Sequence, residues 1–321
     1  MKAIVQKRYG SPDGLEFVEI EKPVIGDHGV LVRVRAASVN AADWHLMHRL
    51  PHLIGKLLRV PDSRVPGMDM AGHVAAVGKD VTRFKPGDEV FGVAFGAFAE
   101  HAATTESRVV LKPRNATFEQ AAAIPIAGCT ALQGLRDKGH VQPEQKVLIN
   151  GAGGGVGTFT VQIARSLGAH VTAVSRTSNI DLLYSIGADV VIDYTKEDFT
   201  RRAQRYDVLF DIGGNRSFAD CRRVLSSNGT IVLAGAASRR GALAPLARLL
   251  GAQLMSRIGS RRILPFLARV RQEDLIMLKE LVEAGKLSAV IDRQYPLNEV
   301  ADAIRYVGTG EARGKVVIDV P

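Results

Sequence analysis

Val147-Leu148-Ile149-Asn150-Gly151-Ala152-Gly153-Gly154-Gly155-Val156-Gly157 is the stretch that decides the fold of this chain. A short apolar run meets five glycines, and an amphipathic stretch over 159–167 follows. The pattern reads as a strand turning sharply into a helix. Glycine permits the tight turn, and its missing side chain lets the backbone approach a pyrophosphate held by the first amides of the helix. A glycine-rich string alone is a weak signal. A strand before it and a helix after it make it a dinucleotide-binding turn.

Downstream of the turn, strand and helix signals alternate. Strands are expected over 147–150, 170–175, 190–192, 208–211 and 230–234, and helices over 155–167, 180–186, 196–202 and 217–225. Alternation at this spacing argues for an α/β fold with a doubly wound parallel sheet. Just upstream, 118–139 is alanine-rich and helical in pattern, with a break near Pro125. The first third has a different texture. Short strands over 15–20, 30–35 and 72–77 are punctuated by turns such as Pro12-Asp13-Gly14 and Lys85-Pro86-Gly87-Asp88, with a short helix over 41–48. This reads as a compact, mostly β domain. The tail shows a helix over 272–284 closed by Gly285, a strand over 289–291, a helix over 297–306 and a strand over 315–320.

Composition sets the outer bounds. The 321 residues are 46% hydrophobic and 23% charged, as in ordinary globular proteins. The net charge is +9, from 42 Lys+Arg against 33 Asp+Glu. Its basic residues are scattered in pairs (Arg201-Arg202, Arg222-Arg223, Arg239-Arg240, Arg261-Arg262), with no long basic run or aromatic-rich RNA-binding signature. A solvated basic surface that favours an anionic cofactor accounts for this better than a nucleic-acid partner. Cys129 and Cys221 show no metal-ligand spacing and make no disulfide framework. Together with an N-terminus lacking a signal-peptide pattern, they suit a cytoplasmic protein. The most apolar stretch, 243–258, is interrupted by Arg248 and Arg257 and is too short to span a bilayer.

Several motifs in order carry a resemblance. They are Val39-Asn40-Ala41-Ala42-Asp43, Gly67-Met68-Asp69-Met70-Ala71-Gly72 with Val77-Gly78, and Phe84-Lys85-Pro86-Gly87-Asp88-Glu89-Val90. They continue with Ala127-Gly128-Cys129-Thr130-Ala131, the glycine turn, Gly187-Ala188-Asp189 followed by Asp193-Tyr194, and Ala312-Arg313-Gly314-Lys315-Val316-Val317. End to end, the chain resembles the zinc-independent quinone oxidoreductase branch of the medium-chain dehydrogenase/reductase superfamily. The resemblance implies a Rossmann domain over 123–264 and a GroES-like, mostly β catalytic domain over 1–122 and 265–321.

On the cofactor side the fingerprint aligns as Ala152-x-Gly154-x-x-Gly157. Gly154 allows close approach to the pyrophosphate, Gly157 lets the helix pack on the strand, and the amides of Gly155 and Val156 are the expected phosphate donors. NAD-preferring sites place a carboxylate about 20 residues on. Here that strand ends in Val174-Ser175-Arg176-Thr177, with no carboxylate. Arg176 attracts a 2′-phosphate and Ser175 can donate to it. Tyr194 matches a family position that touches the same phosphate. The expected cofactor is therefore NADPH. Thr130 matches a family threonine beside the nicotinamide ribose, and Lys315, in the closing Arg-Gly-Lys segment, is a further cofactor candidate.

The resemblance also locates the positions where zinc-dependent relatives hold their metal. Here they are Asn40, Met68 within Gly67-Met68-Asp69, and Ile126. An amide and a thioether, with one carboxylate at Asp69, do not make a usual tetrahedral zinc site, so no metal is expected. A rival cluster, His45, His48 and His52, is broken by Pro51 before its last member and lacks a third ligand. Without a metal to polarise a carbonyl, an already electrophilic acceptor suits the site, and the family implies the same class: quinones or α,β-unsaturated carbonyls. Asn40 is the candidate for holding the nicotinamide ribose or a substrate oxygen. His45 is the candidate proton donor, because histidine is the side-chain type suited to that task near neutral pH. Asp43 reads as a local hydrogen-bond acceptor, Cys129 as packing, and Phe266 as a lining residue. The segment over 236–264, rich in Arg, Leu and Ala, could cap the cleft, build a dimer contact or meet a membrane surface, and packing or dimerisation outranks the membrane because its charges sort onto no one face. The expected assembly is a homodimer acting on a small quinone or enone. The alternatives are an enoyl-thioester reductase and, in a different class, a non-catalytic NADPH-binding regulator or nucleic-acid binder.

Overall fold

The computed structural model describes residues 1–8, 10–49, 65–234 and 262–321. His52, the apolar stretch over 243–258 and most of 236–264 lie outside the described residues, as does the side chain of His48. Strands in chain order are β1 (Lys2–Gln6), β2 (Leu15–Glu19), β3 (Gly29–Val39), β4 (Asp69–Val77), β5 (Glu89–Val93), β6 (His101–Thr105) and β7 (Val109–Leu111). They continue with β8 (Lys146–Asn150), β9 (His170–Ser175), β10 (Val190–Asp193), β11 (Tyr206–Asp211), β12 (Leu225–Ala234), β13 (Arg262–Phe266), β14 (Ile291–Pro296) and β15 (Lys315–Asp319). The chain divides into two compact units, Met1–Cys129 with Val270–Pro321, and Thr130–Arg269.

The second unit is built on a six-stranded sheet in the order β10-β9-β8-β11-β12-β13, parallel throughout. This is a doubly wound order, and its direction reverses at β8, the strand that runs into the glycine turn. β8 and β9 are buried from their second residue onward, as strands covered on both faces must be. Leu148, Val174, Leu209 and Ile231 pack together in one core. The Gly155–Ser166 helix buries Phe159, Val161 and Ile163.

The first unit holds a seven-stranded sheet, β14-β15-β3-β4-β5-β7 with β6 also on β3, and the two-stranded β1–β2 ribbon. β3 explains how one strand can serve two purposes. Its first half alternates, with Val30, Val32 and Val34 inside and Arg33 and Arg35 exposed; from Ala36 to Val39 every residue is buried. The strand therefore runs four residues past its alternating segment and delivers Asn40 into a buried position.

Three local expectations change. The helix expected over 196–202 is a single 3₁₀ turn, Phe199–Arg201. Asp193 and Asp198 side chains accept from the Thr195 and Thr200 N–H groups, at 3.0 Å each, and so offer the backbone an alternative to a helix. The strand expected over 289–291 begins at Ile291 and continues to Pro296, because β15 supplies a parallel partner that local sequence does not reveal. The helical 118–139 segment resolves into Phe118–Ala122, Pro125–Gln133 and a π-helical turn, Gly134–Lys138.

Candidate functional site

In the second unit, the candidate nucleotide site grows from β8. Asn150 at its end is buried, and its Nδ2 donates to Asp211 Oδ1 at 2.8 Å and Asn215 Oδ1 at 2.9 Å. Its carbonyl accepts from Ile212 and Gly213, both at 3.0 Å, which ties the ends of β8 and β11 together. Gly151 then takes φ +91°, the left-handed region that glycine enters without strain. Gly154 caps the following helix, and Gly154, Gly155 and Val156 stay partly exposed while Gly157 is buried. The first N–H groups of a helix lack intrahelical acceptors and carry the positive end of its dipole, which suits a phosphate.

Ser175 and Arg176 end the neighbouring strand. β10 pairs with it so that Asp193 lies opposite Ser175, and the Tyr194 N–H donates to the Ser175 carbonyl at 3.0 Å. The three residues expected at the 2′-phosphate thus come together, with Tyr194 40% exposed. Two neighbours had no site role in the sequence reading, although Asp193 stood in a family motif. Asn179 is buried and donates from Nδ2 to Ser175 Oγ at 2.9 Å. With that lone pair occupied, the Ser175 O–H is available as a donor. Asp193 accepts from Thr177 and Thr195, which hold its carboxyl down at about 2. Thr130 is half-buried in the Pro125–Gln133 helix.

In the first unit, sheet register assembles a separate polar cluster. β15 pairs with β3 so that Val316 faces Val39, and β3 pairs with β4 so that Ser38 faces Asp69. This brings Lys315, Asn40 and Asp69 side by side. Lys315 Nζ donates to Asn40 Oδ1 at 2.7 Å and lies 3.6 Å from Asp69 Oδ2. Asn40 Nδ2 donates to the same Asp69 oxygen at 2.9 Å, as does Ser38 Oγ at 3.1 Å, while Ile126 N–H donates to Asp69 Oδ1 at 3.1 Å. Asp43 makes the local bond expected of it: its Oδ2 accepts from the Asn40 N–H at 2.7 Å.

Asp69 is 0% exposed and Lys315 2% exposed. Burial raises the Asp69 carboxyl and lowers the Lys315 ammonium, and their mutual attraction opposes both shifts. Burial pushes the Asp43 carboxyl up to about 7, against the Asn40 N–H that favours its ionised form and with Asp69 adding to the rise. His45 sits half-buried on the Ala41–Arg49 helix, two residues beyond Asp43. Cys129 and Cys221 are buried thiols that form no disulfide. Phe266 belongs to β13, and a side chain at Gly134 would meet its ring and that of Phe210. Among the described residues, no three His, Cys, Asp or Glu side chains group as a metal site, and no helix is long and apolar enough to cross a membrane.

Two family matches agree with this geometry. Residues 26–114 match the alcohol dehydrogenase GroES-like domain, and residues 186–318 match a family described as zinc-binding dehydrogenase. Fold and site define a nicotinamide-dependent oxidoreductase with a Rossmann unit and a GroES-like unit. The 2-methylene-furan-3-one reductase of Solanum lycopersicum is 35% identical over 99% of this chain and 79% of its own length. The NADPH-dependent alkenal/one oxidoreductase of Arabidopsis thaliana chloroplasts is 34% identical over 99% and 79%. The quinone oxidoreductase structure from Coxiella burnetii superposes with a TM-score of 0.86 at 30% identity, covering 100% of this chain and 99% of that one. The chain belongs to the quinone oxidoreductase branch of the medium-chain dehydrogenase/reductase superfamily.

Proposed function

We propose that this protein transfers hydride from NADPH to a quinone or an α,β-unsaturated carbonyl, without zinc. The observation that carries the reading is the ammonium of Lys315 against Asn40 and Asp69. These two residues sit where, or next to where, zinc-dependent relatives place ligands. The cluster offers an amide and one carboxylate whose lone pairs already serve Lys315, Ser38 and the Ile126 N–H. That donor set does not fit a tetrahedral zinc, even though the family matching 186–318 carries zinc in its description. An acceptor that delocalises its own charge needs orientation and a few hydrogen bonds more than a Lewis acid. The names of the tomato and Arabidopsis relatives support the same substrate class.

When bound, NADPH supplies the hydride. Gly154, Gly155, Val156 and Gly157 form the pyrophosphate seat. Ser175, Arg176 and Tyr194 hold the 2′-phosphate, and Thr130 and Asn40 position the nicotinamide end and the substrate oxygen. An NADPH-oxidation screen over quinones, enones, enoyl thioesters and aldehydes, with and without chelator, tests the whole reading. Turnover of a quinone or enone that chelator leaves unchanged is expected; activity confined to enoyl thioesters or aldehydes, or lost with chelator, overturns it. The same assay should show kcat/KM for NADPH at least about tenfold above NADH, with Arg176→Ala erasing most of the difference, since a charge-assisted phosphate contact contributes about 1.5–3 kcal/mol. Equal values for the two cofactors in the wild type would remove NADPH preference.

His45 is proposed as the proton donor to the reduced product. His45→Phe should then lower kcat for an enone about 100-fold at neutral pH. A kcat within twofold of wild type, with a solvent isotope effect showing proton transfer to be limiting, excludes it. We also infer a cytoplasmic homodimer with no nucleic-acid partner. The support for a dimer is β13, which ends its sheet among the described residues and is followed by Leu267, 89% exposed. Sedimentation at micromolar concentration should give twice 34.5 kDa, and a monomer would refute it.

A further inference from the structure

We propose that Lys315 is a positioning residue of the reductase: together with Asp69, its ammonium fixes the Asn40 carboxamide in one orientation. The inference rests on the proposed role of Asn40 at the nicotinamide ribose or substrate oxygen, and it gives Lys315 a task other than touching the cofactor. At 2% exposure, with its Nζ 2.7 Å from Asn40 Oδ1, the ammonium is turned inward.

The chemistry of the partners determines which way the amide faces. A lysine ammonium only donates, so the atom facing it must be the amide oxygen. Asp69 lies within 2.9 Å of the other end and, beside Lys315, accepts, so that end must be the NH₂ group. A flipped amide would set its NH₂ against an ammonium and its oxygen against a carboxylate. The main chain of Asn40 is held as well: its N–H donates to Asp43 Oδ2 at 2.7 Å, and its carbonyl accepts from the Asp43 N–H at 3.0 Å. One amide N–H and one carbonyl lone pair remain, in fixed directions. Of the three side chains, Asn40 keeps the most exposure, 8% against 2% and 0%. It is therefore the member through which the buried pair can act on a bound molecule.

The test begins with wild-type turnover of NADPH and an enone. No turnover there defeats the proposed function itself, independently of Lys315. The informative variant is Lys315→Met combined with Asp69→Asn, which removes the ion pair as a unit and so leaves neither of its members buried without the other. A positioning role predicts a Tm within a few degrees of wild type and an NADPH Kd within about threefold. It predicts a kcat about 10–100-fold lower, the size expected of a misplaced contact. It also predicts that adding Asn40→Ala to the double variant costs nothing further, because the effect already passes through that amide. Recovery of wild-type kcat along with Tm makes Lys315 purely structural and overturns the proposal, as do losses from Asn40→Ala and the double variant that simply add. If the Asp69→Asn background does not fold, the same cycle is run with Lys315→Met alone. Failure to fold in both backgrounds likewise assigns Lys315 to stability and overturns the positioning role.

Discussion

Gly157→Ala should unfold the nucleotide turn from within, whereas Gly154→Ala should leave the fold standing and remove only the nucleotide. A Cβ on Gly157 would lie well inside 3.0 Å of the Gly151 and Ala152 carbonyl oxygens. These are backbone atoms of the turn itself and cannot rotate away, so the helix start must lift off β8. Overpacking of this kind costs about 3 kcal/mol. A Cβ on Gly154 meets only the Gly151 oxygen, at 3.7 Å, an ordinary contact, and its φ of −91° suits any residue. The cost to the fold is then at most about 1 kcal/mol, the usual size of a helix-cap change. The added methyl instead occupies the space through which a pyrophosphate approaches. Thermal unfolding and NADPH fluorescence titration separate the two cases. Gly157→Ala is expected to lose both stability and binding. Gly154→Ala should keep its Tm within a few degrees while Kd rises at least about tenfold. An unchanged Kd for Gly154→Ala would sink the assignment of the turn to the phosphates, and an unchanged Tm for Gly157→Ala would sink the packing argument.

The two buried carboxylates beside Asn40 should respond to amide substitution in opposite directions. Asp69→Asn leaves the Lys315 ammonium buried without its paired oxygen, and breaking a buried pair from one side costs about 3–5 kcal/mol. Asp43→Asn removes the third charge of a set in which Lys315 can balance only one. The Asp43 carboxyl has a folded value of about 7 against 3.8 for the unencumbered group. Between those values the native state holds a proton that the unfolded chain has released, so stability falls as pH rises from about 4 to about 7 and is level beyond. Relative to wild type, Asp43→Asn should therefore gain stability with rising pH, by up to about 4 kcal/mol at pH 8, and show little difference near pH 4. Denaturant unfolding at pH 5 and pH 8 checks both. A pH-independent difference between Asp43→Asn and wild type would show that Asp43 does not titrate in this range. A mild Asp69→Asn would show that Lys315 is not paired with it.

Much of this molecule can be read without coordinates, and the limits have physical causes. The glycine turn was legible because its conformation is dictated locally: Gly151 needs a positive φ, and Gly157 has no room for a side chain. The Asn40–Asp43 bond was legible through the Asn-x-x-Asp pattern that the resemblance carries, and its physical basis is a carboxylate set over the start of its own helix. The 196–202 segment misled because the Asp198 side chain takes the Thr200 N–H that a helix would use. The strands β5, β6, β7 and β13 are three to five residues long and draw their stability from neighbours, leaving little signal of their own. Asp69 did leave a trace, since a single carboxylate between Met68 and Met70 in a buried strand requires partners. Asn179 left none, because a buried amide beneath a loop looks like any polar residue in sequence.

The sequence by itself determined the alternating Rossmann unit and the glycine turn, because each follows from short-range spacing and residue chemistry. Only the tertiary structure decided what stands beside Asn40. Lys315 lies 275 positions away and Asp69 lies 29 away, and strand register alone brings them to the same amide. In the sequence Lys315 was a cofactor candidate in a closing motif, with nothing to show its neighbours. Buried to 2% exposure, it becomes an internal cation, because a charge removed from water must find its counter-charge within the fold.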